Sequence, residues 1–556
     1  MGILKPDATA IDTIDTGSAV DRRVYLVESV LTTDTDPSPE TRPAPVQRFS
    51  FNATGAFAWA ARDFAAPGTS PLPPFEFRFA NDTWISRPDD PDHPNAHWAG
   101  RVINPGSMSR GAKLTPVDAS AVEISSGTIV IDNTDGRFDT VLDQYYAVSQ
   151  TIYVRYGKHG WDWRDFVTLW TMRITGVGLS EKELTLEVTD PVAYAQNAFP
   201  ASYYNGFGGI DGDAGLANTQ RPVVLGRLWN YSPIRIDAVN LVYQIHDGPI
   251  LAVTGCFDGG VALTFFADYT TYAALIAAAI PAGGYATAKN LGILRVKSTP
   301  VFTVTVHCDG DATAGITTRS IAAFIAAKLE TVLGIDVDLV DFNTLPARTA
   351  GWAWTSGQFT YQQILNRFVG DCGYIWGTVG IDVLAVGLLE PPDLEGEVAR
   401  TFTSEDILSL ERLTLPGGYE STHKRQVVQY QRNWTVQDLQ NLAVTAVDPG
   451  FRQQEWKFTS ASIAQVLKNT IDPPVIQTSL ATEADATALA GYLVGLHGVP
   501  RKMYSLETAI FGGLPPLGSQ VMLVYPRFGL DGGRPYRVIE ISQDFGEGKQ
   551  TFLLWG

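Results

Sequence analysis

Residues able to do chemistry are few in this 556-residue chain, and their spacings do not assemble a reaction centre. His93 and His97 stand four apart, the separation at which two imidazoles share a helical face and bind zinc. Pro91 and Pro94 bracket His93, and a residue directly before proline is held out of helical backbone. Without a helix the spacing carries no metal site. His307-Cys308-Asp309 is the one local trio holding base and nucleophile types. It lies in a strand pattern, where neighbouring side chains point to opposite faces, so His307 and Cys308 do not form a pair. Cys256, Cys308 and Cys372 are far apart and odd in number. They fit neither a disulfide framework nor a zinc or iron–sulfur spacing, and read as buried free thiols. Asp211 and Asp213 sit in a glycine loop and read as solvated acids rather than a cation site. That loop, Gly206 to Gly215, contains GFGGIDG but no P-loop lysine, and no helix pattern follows it; neither a phosphate cradle nor a dinucleotide site is expected. No G-x-S-x-G elbow occurs. Paired carboxylates for glycan hydrolysis stay open, because acids are plentiful and their separation in space is not a local property. No catalytic, cofactor-binding or metal residue is assigned, no cofactor is expected, and the chain is read as structural rather than enzymatic.

The elements that must position these residues are organised around Gly127 to Asp139, GTIVIDNTDGRFD. Thr128 to Ile131 is β-branched and apolar, hence a strand. Asn133-Thr134-Asp135-Gly136 is turn chemistry, and Phe138 returns an apolar side chain to the core. A calcium loop needs acids at alternate positions before its glycine, and counting back from Gly136 puts Ile131 where the first should be. The stretch therefore reads as a strand ending in an acidic structural turn.

Length allows three to five domains. Hydrophobic residues at 45% against 18% charged indicate a globular chain, and 52 Gly with 33 Pro indicate many turns. A net charge of -18 argues against gathering phosphate backbones, so specific nucleic-acid binding is not expected. The first residues lack a basic region followed by an apolar core, so no signal peptide is expected. The longest apolar run, Tyr272 to Ile280, is too short to span a bilayer. A soluble protein made in a cytoplasm is the expectation.

Strands are expected at Val24–Leu31, Arg48–Trp59, Ala121–Ile124, Thr128–Ile131, Thr151–Tyr156, Phe166–Ile174 and Leu184–Val188. Their alternation predicts an antiparallel, closed or nearly closed barrel. Helices are expected at Thr270–Ile280 with Asp268 as cap, Thr318–Leu333, Thr360–Cys372 with a Thr360/Gln363 capping box, Ala461–Asn469 and Glu483–His497. A hairpin follows at Tyr374–Thr378 and Ile381–Val386. Late strands are expected at Ser409–Leu415, Lys424–Tyr430, Ser505–Ile510, Gln520–Tyr525, Tyr536–Ile541 and Gln550–Leu554. Trp161, Trp163 and Trp170 could stack on sugars, but read as barrel-core aromatics.

The strand ending in N-x-D-G-x-[FL]-D resembles the first domain of tail-tip (baseplate) hub proteins of long-tailed phages and gene transfer particles. Further matches follow in order. Pro222, Val223, Gly226 and Asn230 match a Pro-Val-x-x-Gly-x-x-x-Asn element, with Gln220-Arg221 before it where the family often has a second acid and Lys. Tyr243, Gln244, Asp247 and Gly248 match a hairpin, and Asp258, Gly260 and Leu263 a turn. Gly283, Tyr285, Thr287, Gly292, Arg295, Val296 and Asp309-Gly310-Asp311 continue the pattern, as do Tyr430, Asn433 and Trp434. The run Tyr525 to Leu530 and the final Leu554-Trp555-Gly556 are similar to the family's C-terminal barrel.

The resemblance implies a mainly β, multidomain fold with small α/β insertions and two tail-tube-like antiparallel β-barrels. The expected division is an arm at 1–22, a first tube-like barrel at 23–195, and a Gly/Asp-rich β unit with a short helix at 196–311. A small α/β unit at 312–390 and a second tube-like barrel with a helical insertion at 391–556 complete it. The implied role is a siphophage tail-tip hub that joins tail tube to fibres or spike and lines the DNA exit channel. Implied partners are two further copies in a homotrimer, the distal tail protein, the C-terminus of the tape-measure protein, and tail fibre or central spike proteins. DNA would pass only in transit, with assembly in a host cytoplasm and residence in the virion. The alternatives are a receptor- or carbohydrate-binding tail protein, or a tail-associated peptidoglycan or glycan hydrolase.

Overall fold

The chain is mainly β-sheet, and the computed structural model describes residues 23–31, 75–111, 126–333, 336–379, 383–416, 421–463, 470–509 and 515–556. The strands expected at Arg48–Trp59 and Ala121–Ile124 lie outside those residues. A nine-stranded sheet runs in the order Trp84–Ile85, His97–Gly100, Phe75–Ala80, Arg23–Leu31, Thr151–Lys158, Val167–Leu179, Glu183–Thr189, Ser126–Asp132, Val102–Asn104. Alternation decides which face is apolar: Tyr25 and Val27, Ile152, Val154 and Tyr156, and Leu184, Leu186 and Val188 enter one core with Ile129 and Ile131. In the described residues the order has two ends, Trp84–Ile85 and Val102–Asn104.

A six-stranded path near the C-terminus runs Arg400–Phe402, Gln520–Tyr525, Leu530–Asp544, Lys549–Trp555, Met503–Ala509, Ile407–Leu413. An early strand joins it. Ser107–Gly111 pairs antiparallel with the end of Leu530–Asp544, Ser107 opposite Asp544 and Gly111 opposite Glu540. Side chains seal this seam. Trp170 Nε1 donates to Gln543 Oε1 at 2.9 Å, the Arg110 guanidinium lies 4.2 Å over the Trp170 ring, and Phe545 enters the first sheet's core beside Tyr25.

Between these sheets lie two of five strands. One runs Val261–Ala262, Ile250–Asp258, Val304–Asp311, Val223–Tyr231, Gly351–Trp354. The other runs Ile234–Asp237, Val242–Gln244, Ile293–Val296, Gly284–Ala288, Thr264–Asp268. The largest core gathers three helices, Thr318–Leu333, Tyr361–Gly370 and Glu483–His497, through Ile321, Ile325, Leu329, Ile364, Leu365, Phe368 and Leu489. The expected capping box is present: Thr360 Oγ1 accepts from Gln363 N at 3.1 Å, and Gln363 Oε1 accepts from Thr360 N at 3.0 Å.

Three local expectations change. Thr271, not Asp268, caps the short helix Tyr272–Ala277, its side chain accepting from Ala274 N at 3.2 Å. Asp268 instead accepts from Thr287 Oγ1 at 2.6 Å and Lys289 N at 3.1 Å, because its strand runs beside Gly284–Ala288. The helix expected from Ala461 is not formed at its start. Lys457–Ser462 is a strand paired with Arg425–Tyr430 under helix Glu483–His497, and 464–469 lie outside the described residues. Ser and Thr are weak helix formers, and an open sheet edge outbids them. Finally, the acidic turn after Asp132 opens directly into a helix, Arg137–Gln144.

Candidate functional site

Two constructions of buried polar side chains carry the sequence motifs. The first is the turn of Asn133-Thr134-Asp135-Gly136. Asn133 is fully buried, and its amide meets three partners: Nδ2 donates to Asp139 Oδ1 and to Ser180 O, both at 3.0 Å, and Oδ1 accepts from Phe138 N at 3.0 Å. Gly136 adopts φ 66° at the helix N-cap, a left-handed conformation that glycine reaches without strain. Asp135 accepts from Arg101 Nη1 at 2.9 Å, and this guanidinium holds its carboxyl down at about 2. The turn is thus a strand-to-helix staple whose acids are consumed by internal bonds.

The second joins chain segments more than 200 residues apart. Asn230 is the penultimate residue of strand Val223–Tyr231, in positive-φ backbone (52°), and Asn433 follows strand Arg425–Tyr430. Asn230 Nδ2 donates to Asn433 Oδ1 at 2.9 Å, to Thr435 O at 2.7 Å and to Gln437 Oε1 at 3.2 Å. Asn433 Nδ2 in turn donates to the carbonyls of Arg452 and Gln454 at 2.9 and 3.0 Å. Arg452, 1% exposed, fills the centre: it donates to Asn230 Oδ1, to Thr305 Oγ1 at 3.3 Å and to Val447 O at 2.8 Å, over the Phe257 ring at 4.3 Å. Burial pulls its pKa down, with Asp448 opposing. Gly260 completes the fit, since a Cβ there would lie 2.6 Å from Ala446 and 3.2 Å from Arg452.

His307 borders this joint. Its Nδ1 accepts from Asn230 N at 2.9 Å, and its ring packs on Trp229 and Phe257. Burial, with the Arg452 charge, lowers its pKa to about 4, so the imidazole is neutral near pH 7. Cys308 faces the opposite core, fully buried, and burial pushes its thiol far up. Asp309 is held by Arg227 through two bonds of 2.7 and 2.8 Å. The trio therefore splits three ways, and the joint holds amides, the Thr305 hydroxyl and a guanidinium, all engaged with one another. Its chemistry is that of a clamp.

The other candidates also separate. His93 lies beside Arg78 at 3.2 Å and packs edge-on to Trp163, while His97 points to solvent on a short strand. Among the described residues no group of three or more His, Cys, Asp or Glu is placed to hold a metal ion. Asp211 pairs with Arg221 at 2.9 Å and Asp213 accepts from Ala238 N at 2.9 Å, so neither is a free loop acid. The three tryptophans are not one cluster: Trp170 belongs to the first sheet's core, and Trp161 and Trp163 pack against a second group around Trp84 and Trp98. Cys256, Cys308 and Cys372 are buried and unpaired thiols.

Sequence reasoning missed Arg452 and Gln437, which sit in segments without periodicity, and Thr305, whose strand gives no sign of its distant partner. It also missed a box in which the Arg432 guanidinium lies 5.0, 4.3 and 5.3 Å from the rings of Trp352, Trp434 and Trp456, paired with Glu455 at 3.0 Å. Only the Asn433-Trp434 pair hinted at it.

No family model matches the chain, and no curated protein sequence does. Solved structures to which it is similar include a tail protein from Neisseria meningitidis, at 10% identity and a TM-score of 0.37, covering 82% of this chain and 92% of that one. A 43 kDa tail protein of prophage MuSo2 from Shewanella oneidensis has 8% identity and a TM-score of 0.37, covering 82% and 93%. A chain of a native gene transfer agent virion has 14% identity and a TM-score of 0.37, covering 61% and 84%. Among the described residues no helix is long and apolar enough to cross a membrane.

Proposed function

We propose that this chain is the structural hub of a phage tail tip, residing in the virion and acting without catalysis. The observation that carries the reading is the convergence of motif residues on one buried joint. Asn230 of the Pro-Val-x-x-Gly-x-x-x-Asn element bonds Asn433 of the Asn-Trp element, and Gly260 of the Asp-x-Gly-x-x-Leu turn packs on Arg452. Residues spaced for hub resemblance along the sequence thus fix the central sheets to the C-terminal part of the chain. A connector between tube and tip needs that rigidity. The pairing of Ser107–Gly111 with Leu530–Asp544 adds to the reading by placing an early strand in the last sheet.

On this reading 23–195 and 391–556 supply two tube-like units per subunit. Three copies give a quasi-sixfold ring matching a sixfold tube to a threefold tip. The ring would meet the distal tail protein above, the tape-measure C-terminus in its lumen, and fibres or a spike below. The net charge of -18 suits a channel along which DNA passes without sticking. The test is native mass from nanomolar to tens of micromolar, alone and with the distal tail protein. A trimer under either condition is expected. A monomer under all of them overturns the hub and turns attention to a receptor- or carbohydrate-binding role. Retention of duplex DNA by the assembled ring at moderate salt would overturn the passive channel.

A further inference from the structure

The C-terminal sheet carries a cleft of about 650 Å³ to which the hub reading gives no role. Its walls are the Pro500-Arg501-Lys502 segment, the hairpin from Gly529 to Tyr536, and Pro392 with Leu394. Three cations line it, Arg501, Lys502 and Arg534, with one acidic side chain, Asp531, and with Gly556, whose carboxyl oxygen accepts from Lys502 N at 2.6 Å. That balance inverts the chain as a whole, which has 59 acidic and 41 basic residues.

Several arginines elsewhere meet carboxylates, as Arg101 does Asp135, Arg155 does Glu28, Arg221 does Asp211 and Arg227 does Asp309, while Arg295 and Arg452 are each enclosed by three or more neutral acceptors. The cleft's arginines have neither arrangement. Arg501 donates to Leu496 O at 3.3 Å and lies 5.1 Å over Trp555, and Arg534 donates to Gly529 O at 3.2 Å. Among the described residues no side-chain carboxylate lies in ion-pair range of Arg501, Lys502 or Arg534. Arg534 is exposed, whereas Arg501 and Lys502 are half-buried charges with no side-chain carboxylate beside them, which favours an anion in the cleft. Burial lowers the Arg501 pKa with no anion opposing it, in keeping with that geometry. The rim is apolar: three prolines, the Tyr536 ring, and Leu394, which is 79% exposed.

We propose that this cleft docks an extended acidic peptide segment of a partner protein, its carboxylates on Arg501, Lys502 and Arg534 and an apolar side chain against the proline rim. The volume suits a few residues of peptide rather than a lone anion. A nucleic-acid strand would need cations tracking successive phosphates and rings free for stacking, whereas these cations are confined to one cleft with Asp531 among them. The proposal does not depend on the hub reading.

The test is fluorescence anisotropy of the full chain with a labelled peptide, Gly-Glu-Leu-Glu-Asp-Leu-Glu-Gly, at low and physiological salt. Saturable binding is expected, absent for the peptide with Gln and Asn in place of Glu and Asp. Lys502→Glu with Arg534→Glu should weaken it about tenfold or more. Asp531→Lys should tighten it about threefold, a gain that misfolding cannot produce. No binding of the acidic peptide, equal binding by the double variant, or no gain from Asp531→Lys each overturns the proposal. So does an eight-residue oligothymidylate binding as tightly as the peptide, or competition by millimolar inorganic phosphate as effective as that by unlabelled peptide.

Discussion

Arg452 is a charge held away from water by neutral partners, which makes it the most exacting single residue in the molecule. Asn230 Oδ1, Thr305 Oγ1 and the Val447 carbonyl accept from it, and Gln437 Oε1 is shared between it and Asn230 Nδ2. Arg452→Met should therefore cost about 3 kcal/mol by stranding those acceptors, read as a lower urea midpoint. Arg452→Lys should not restore it, because one ammonium lacks the guanidinium's fork. Asn433→Ala combined with Arg452→Met should cost clearly less than the two single losses added, since they share one network. Asn133→Ala strands the Phe138 N–H and Ser180 carbonyl and should cost about 2 kcal/mol. The buried imidazoles give a pH dependence. His497 packs beside His423, with Arg501 near and Trp555 against it, and burial lowers its pKa to about 3; His307 stands at about 4. Both fold neutral, whereas an unfolded histidine takes a proton near 6.5. Stability from each is complete above about 6.5 and falls as pH drops toward the folded value. Urea midpoints between pH 7 and 4.5 should decline, and His497→Phe should flatten the decline.

Elements were legible in proportion to how local their causes are. The box at Thr360 and Gln363 is written in four residues, and the helix it starts is Tyr361–Gly370, within the stretch expected. Thr360→Ala should cost about 1 kcal/mol, measured by thermal unfolding. Helices Thr318–Leu333 and Glu483–His497 fall where their apolar spacing puts them. Lys457–Ser462 was not legible, because its strand state is decided by the edge of Arg425–Tyr430, some thirty residues upstream. Gly226 shows the same dependence at one position. Its φ is 75°, and a Cβ would lie 2.0 Å from the Ala350 carbonyl oxygen on the paired strand. Gly226→Ala should cost at least about 3 kcal/mol and displace that pairing.

At the scale of the whole molecule, strands cross between parts of the chain that sequence treats as separate. Ser107–Gly111 completes the last sheet, and Gly351–Trp354 completes the sheet of Val223–Tyr231. Ser109 stands opposite Ser542 in the first of these seams. Cysteines at both positions should oxidise to a disulfide, since directly opposed strand residues lie within bridging distance. The three native thiols are buried and will not compete readily. Proteolytic mapping of the oxidised double variant checks the register, and failure to bridge would mean that the early strand does not lie in the last sheet there.

The amino-acid sequence alone determined the mainly β class, most strand and helix positions, the acidic turn with its glycine, and the absence of a recognisable catalytic spacing. These follow from periodicity, turn chemistry and caps, whose causes span a few residues. Only the tertiary structure decided that Asn230 meets Asn433, that Arg452 is buried between them, and that three cations gather in one cleft of an acidic chain. Each of those depends on which distant strand lies alongside, and burial and charge compensation are set by that neighbour rather than by the residues next in sequence.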